Sequence, residues 1–149
     1  MTSRRVDSDR FAVTNVQNLY GELACRIVLG DFVEDSELDL TDWTVEDYVR
    51  QWREALLMLV ENDDAKVILM TWGSHPESGR VRRGWRLHRS GINVRVQENI
   101  YVPGDHHLFV DKMGAVVDGE AMESMTEDGY RISEWGTTVE SIRRFLADG

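Results

Sequence analysis

Few residues in this chain are of a type and spacing that could do chemistry. Four histidines are present: His75 in a polar loop, His88 on an arginine-rich segment, and the adjacent pair His106-His107. Neighbours on an extended strand point to opposite faces, so one metal ion does not easily take both members of that pair. Asp105 and Asp111 are the nearest carboxylates, but no H-x₃-H or cysteine pair accompanies them, and no metal or cofactor is expected. The single cysteine, Cys25, lies in an apolar run and reads as a buried thiol, not a nucleophile. G-x-S-x-G, P-loop and GxGxxG patterns are absent. Carboxylate pairs such as Glu34-Asp35 and Glu127-Asp128 are too common in an acidic chain to mark a general acid and base. No nucleophile, base and oxyanion site assemble. The expectation is a binding protein, not an enzyme.

Charge is the stronger signal. The chain of 149 residues carries 27 acidic and 17 basic side chains, a formal net charge of −10, which disfavours generic contact with phosphate backbones or anionic lipid. The excess is concentrated. Between Asp31 and Asp47 stand Asp31, Glu34, Asp35, Glu37, Asp39, Asp42, Glu46 and Asp47, with no Lys or Arg. Between Arg80 and Arg95 the sign reverses, with Arg80, Arg82, Arg83, Arg86, Arg89 and Arg95 and no Asp or Glu. Two readings stay open: solvated faces that neutralise each other in the fold, or surfaces built for a partner. Asp42, Glu46 and Asp47 sit where a helix begins and its dipole favours negative charge. Asp31, Glu34, Asp35, Glu37 and Asp39 have no such local reason and are the candidate partner-binding residues. The alternative is a single-stranded nucleic-acid surface on Arg82, Arg86 and Arg95, with an aromatic such as Trp85 stacking on bases.

Composition bounds the rest. The length suits one domain, residues 1–149, with residues 1–10 polar and expected to fray. One cysteine fits a reducing compartment, and the Met-Thr-Ser-Arg-Arg start has no apolar run behind it, so a cytoplasmic location is expected. Five tryptophans argue for a packed core or a sticky surface.

The elements that must position these residues follow from periodicity. Phe11 to Val16 reads as a short edge strand and Leu23 to Leu29 as a better one, ended by Gly30. The acidic stretch keeps Phe32, Val33, Leu38 and Leu40 as anchors, so it should lie on the body as a strand end or loop. Thr44 and Asp47 form a capping box, with Trp43 stapled to Tyr48. Val45, Tyr48, Val49, Trp52, Ala55, Leu56, Leu59 and Val60 then share one helical face, giving a helix over about 44–61. Lys66 to Trp72 is a strand. Val81–His88 and Ile92–Val102 form a hairpin about Ser90-Gly91, with Arg86 and Arg95 on one wet face. Val117 to Met125 suggests a short helix and Tyr130 to Trp135 a last strand. Thr137 and Glu140 cap a final helix over about 138–147. The order does not alternate strand and helix, so the expected fold is α+β, a curved antiparallel sheet packed with two principal helices.

Three patches carry a family likeness: Trp43-x₄-Tyr48-x₃-Trp52-x₃-Leu56, Val94-Arg95-Val96-Gln97-Glu98-Asn99-Ile100, and Asp128-Gly129-Tyr130-Arg131-Ile132-Ser133-Glu134-Trp135 with Thr137 after it. In this order the chain resembles the immunity proteins (CdiI) of bacterial contact-dependent growth inhibition, and within them the branch paired with ribosomal-RNA-cleaving toxins. The resemblance runs from about Arg26 to the C-terminus. It implies a non-catalytic antitoxin that binds the C-terminal toxin domain of a CdiA effector one to one, in the cytoplasm, through a single α+β domain. It transfers no contact residue, because toxin contacts vary between members. The shared patches themselves read as structural, with Ser133 and Glu134 as polar brackets for the last helix.

Overall fold

Apolar residues at every second position shape the first three strands of the computed structural model, which describes residues 10–38, 40, 43–72, 82–101, 108–110, 116–118 and 134–148. Strands β1 (Phe11–Gln17), β2 (Leu23–Leu29) and β3 (Phe32–Glu37) form an antiparallel meander. Phe11, Val13, Cys25, Ile27 and Leu29 turn inward. The acidic stretch is thus a full strand, more regular than the strand end or loop its composition suggests. The β2–β3 turn is two residues long, and Gly30 at φ 66° supplies the positive dihedral its first position demands.

Helix α1 (Val45–Glu61) begins as its sequence dictates. The Thr44 hydroxyl accepts from the Asp47 amide at 3.2 Å, and the Asp47 carboxylate accepts from the Thr44 amide at 2.9 Å. The Trp43 and Tyr48 rings meet edge to face at 5.2 Å. Tyr48, Gln51, Trp52, Ala55, Leu56 and Leu59 are buried, each large apolar one contributing about 1.5–3 kcal/mol before entropy is counted.

The second sheet has six strands among the described residues, all antiparallel, in the order β7-β8-β4-β5-β6-β9. These are β4 (Lys66–Trp72), β5 (Arg82–Ser90), β6 (Asn93–Tyr101), β7 (Leu108–Val110), β8 (Val116–Asp118) and β9 (Glu134–Thr138). The β5–β6 turn is Gly91-Ile92, one residue beyond the expected position, because Ser90 still pairs with Asn93 and Gly91 takes φ 64°. Gly84 is required where it stands: a Cβ there would lie 2.6 Å from the Leu69 carbonyl oxygen and 2.7 Å from Ile68 Cγ2. Two sheets therefore replace the one that periodicity implied. Val117 lies in strand β8, not in a helix, and most of the remaining stretch to Met125 lies outside the described residues.

Aromatic rings join the layers. Phe32 of β3 stacks on Trp135 of β9 at 4.3 Å and meets Trp85 of β5 at 6.3 Å, so the small sheet is keyed to the large one. Helix α2 (Val139–Asp148) packs on α1 and β1, with Phe145 edge-on to Phe11 at 5.7 Å. Its cap is Thr138, whose hydroxyl accepts from the Ser141 amide at 3.1 Å. The cap is therefore one residue later than Thr137, on Thr138, the last residue of β9.

Helix α1 is tied to β4 by side chains that substitute for a strand. Among the described residues, strand β8 pairs with β4 at Ile68–Val116. Along the same edge, Gln51 Nε2 donates to the Ile68 carbonyl at 2.7 Å and its Oε1 accepts from the Met70 amide at 2.9 Å. Trp52 Nε1 donates to the Met70 carbonyl at 2.7 Å. These bonds are buried, so removing Gln51 would orphan two groups, the Ile68 carbonyl and the Met70 amide, at about 1–3 kcal/mol each. Gln51→Leu, which keeps the volume, is expected to lower unfolding free energy by at least about 2 kcal/mol in denaturant titration. A loss below about 0.5 kcal/mol would show that the β4 edge is satisfied without it.

Candidate functional site

The hairpin of β2 and β3 separates the candidate carboxylates. Asp31 is exposed in the turn. Glu34 pairs in register with Ile27 and faces inward with it, one carboxylate oxygen buried. Asp35 faces outward and meets Arg26, its partner across the ladder, through two parallel contacts of 2.8 and 3.0 Å. That fork holds the Asp35 carboxyl below its ordinary range, mainly by the hydrogen bonds from Arg26. Glu37 ends the strand in full solvent, and Asp39 lies outside the described residues. The four described residues do not converge: Glu34 turns in, Asp35 is neutralised, and Asp31 and Glu37 stand at opposite ends of β3. Strand alternation was the signal that separates Glu34 from Asp35, and it was masked by a run of acidic residues on both faces.

Glu37 instead has a partner that charge counting overlooked. Glu22, just before β2, hydrogen-bonds the Glu37 carboxyl, and this contact with the like charge raises the Glu37 pKa. Glu22 ends a loop, residues 18–22, that joins β1 to β2. Asn18 organises it: its Oδ1 accepts from the Tyr20 and Glu22 amides, both at 2.9 Å, and its own amide donates to the Glu22 carbonyl at 2.8 Å.

The arginine-rich hairpin is largely occupied with structure. Arg86 and Arg95 do share a face, as alternation predicted, but both are only part-exposed. Arg95 Nη2 lies 2.7 Å from Glu134 Oε1, and Gln97 Nε2 donates to the same oxygen at 2.9 Å. Glu134 therefore brackets β9 to β6, not the last helix, while Ser133 is outside the described residues. Arg82 opens β5 opposite Tyr101. Arg89 is the residue the sequence did not reveal. It is 8% exposed, and its Nη1 donates to the Leu59 and Val60 carbonyls at 3.1 and 2.7 Å, at the end of α1. Nε donates to Gly91 at 2.7 Å, and Nη2 lies 3.2 Å from Asp63. The last turn of α1 has no basic residue of its own, so Arg89 supplies the missing charge and donors.

Burial and neighbouring charge set the titratable groups among the described residues. Cys25 is buried, and burial first, then nearby Asp35, pushes its thiol far above the ordinary value. His88 is held below the ordinary histidine range by desolvation, then by Lys66, Arg95 and Arg86. No group of three or more His, Cys, Asp or Glu could hold a metal among the described residues; His75, His106 and His107 lie outside them. A groove of about 220 Å³ between β1, α1 and α2 has Thr14, Asn15 and Arg53 as its polar lining, with no acid–base pair. No helix among the described residues is long and apolar enough to cross a membrane.

These features define a class: an α+β protein of two antiparallel sheets and two helices among the described residues, with Arg26–Asp35 and Arg95–Glu134 paired across strands. Residues 38–145 match the family described as the CdiI N-terminal domain, and the chain belongs to that family. It is 27% identical over 131 residues to the immunity protein CdiI of Enterobacter cloacae subsp. cloacae, covering 86% of this chain and 88% of that protein. It also superposes on a chain of the CdiA-CT/CdiI toxin and immunity complex from Enterobacter cloacae with a TM-score of 0.70 and 26% identity, covering 93% of this chain and 97% of the other. Of the three resemblance patches, the first is the start of α1 and the second lies in β6, while only Glu134 and Trp135 of the third are described.

Substitutions at two positions check these assignments. Arg89→Met keeps the apolar stem but removes the donors, and is expected to cost about 2–4 kcal/mol in chemical denaturation. Arg89→Lys should restore only part of that, because an ammonium cannot reach both helix carbonyls and Gly91 together. For Asp35 the folded pKa lies below the unfolded one. The stability from its pair with Arg26 is therefore complete above the ordinary carboxylate value and lost as pH falls through the folded value. Asp35→Asn should lower the melting temperature slightly at neutral pH, by the equivalent of less than about 1 kcal/mol for so exposed a pair. The gap from wild type should close in acid; a gap that persists there would show that Asp35 acts through packing.

Proposed function

We propose that this chain is an immunity protein that binds the C-terminal toxin domain of its cognate CdiA effector, one to one, and neutralises it without catalysis. The observation that carries this reading is the superposition of nearly the whole chain on a partner in a toxin and immunity complex. It is supported by the internal pairing of Arg26 with Asp35 and Arg95 with Glu134, which spends charge on architecture and aims none of these groups into a pocket. The chain acts as one domain, in the cytoplasm of the cell that makes it. Its net charge of −10 suits a basic toxin such as a nuclease, since complementary fields speed encounter and suppress wrong partners. A stable complex of this kind buries on the order of 1,600 Å² in total.

Co-expression decides the matter. Cells producing the cognate toxin domain should grow when this chain is produced with it, and the two should co-purify as a 1:1 complex. Growth arrest despite soluble, folded chain, with no complex on size-exclusion chromatography, would overturn the proposal.

A further inference from the structure

The largest departure from ordinary surface chemistry is the β1–β2 loop. Leu19 and Tyr20 are 100% and 87% exposed, side by side at its tip. Leaving two large apolar side chains in water is unremarkable when they are scattered and the backbone beneath is loose. Here the backbone is not loose. The Asn18 side chain bonds the Tyr20 and Glu22 amides, and the Gly21 amide donates to the Asn18 carbonyl at 3.0 Å. Gly21 adopts φ 78°, and Gln17 Nε2 donates to its carbonyl at 2.9 Å. The loop is thus built to hold both side chains outward, and the ordering cost of binding is largely met before any partner arrives.

Charge says what kind of partner fits. At the foot of the loop Glu37 stands across the β2–β3 ladder from Ala24, two residues along from Glu22; both are exposed, and Glu22 raises the Glu37 pKa by hydrogen bonding and then by its like charge. Two neighbouring like charges are relieved by a cation placed beside them. We infer that the loop from Asn18 to Glu22, with Glu37 beside it, is the surface on which the toxin domain docks. The partner offers an apolar pocket for Leu19 and Tyr20, flanked by a Lys or Arg that meets Glu22 and Glu37. This rests on the immunity reading and relocates its contact surface, since only Glu37 of the five original carboxylates belongs to it. Tyrosine is a favoured anchor at such interfaces, and a few central anchors with a charged rim carry most of the binding energy.

The test uses the intact chain and the purified cognate toxin domain in a direct binding titration. Leu19→Ala combined with Tyr20→Ala is expected to weaken binding about 100-fold or more, with an unchanged melting temperature because neither side chain is buried. Glu22→Gln with Glu37→Gln should slow association several-fold at low salt and flatten its salt dependence. Ile92→Ala, at an equally exposed apolar site in the β5–β6 turn, should bind like wild type. Wild-type binding that survives the Leu19 and Tyr20 substitutions overturns this surface and leaves the immunity function standing. A wild-type chain that does not bind the toxin domain overturns both. Self-association of the wild-type chain that the same substitutions abolish, with toxin binding intact, assigns the loop to a second copy and overturns the toxin assignment.

Discussion

The attachment of α1 to the edge of β4 is the constraint on which the rest of the structure depends. A strand edge inside a protein leaves amides and carbonyls that must be paired, and among the described residues strand β8 meets β4 at Ile68–Val116. Gln51 reproduces a strand's donor and acceptor in one side chain, and Trp52 adds a second donor. This fixes the helix in both rotation and translation. Its C-terminal end is fixed by Arg89, reaching from β5 to the terminal carbonyls. With α1 pinned at its middle and its C-terminal end, the buried stripe of Trp52, Leu56 and Leu59 has only one place to go, and α2 and β1 pack against what remains.

The small sheet is then positioned by aromatic contact more than by hydrogen bonds. Phe32 meets Trp85 and Trp135, so the hairpin bearing the acidic residues is anchored at its turn. Anchoring there leaves the opposite end of the meander, where the β1–β2 loop and the tail of β3 lie, directed away from that contact. An acidic strand docked this way divides its charges by alternation. Inward positions must tolerate burial, outward positions find a cross-strand cation, and only the ends stay available. That is why Glu34 and Asp35, adjacent in sequence, have different fates.

Membership of the CdiI family gives these features a common purpose without assigning contacts. A binding protein of this kind needs a rigid body and a local surface that suits one partner. Here the rigid body takes up Arg89 and Arg95, two of the arginines that looked available. Charge runs in a sequence therefore overstated the basic surface. They understated a short apolar loop of two residues, because Leu19 and Tyr20 are unremarkable by composition.

Local rules were enough for the helices and most strands. The capping box at Thr44 and Asp47, the Trp43–Tyr48 staple and strand β2 all follow from neighbours within four residues, where backbone geometry decides. The edge strand β1, the β4 strand and the acceptance of Cys25 as an inert thiol were legible for the same reason. What the sequence could not settle involved groups far apart along the chain. A strand of three residues such as β7 or β8 has too short a period to stand out, so the division into two sheets was hidden. The cap at Thr138 instead of Thr137 depended on how far β9 pairs with β6. The roles of Gln51, Arg89 and Glu134 depended on partners 17 to 39 residues away. The sequence determined which segments are helix and strand and that the chain is acidic, because those are local sums. Tertiary structure alone decided which charges are already paired and which side chains remain for a partner, because pairing is set by distance in the fold and not along the chain.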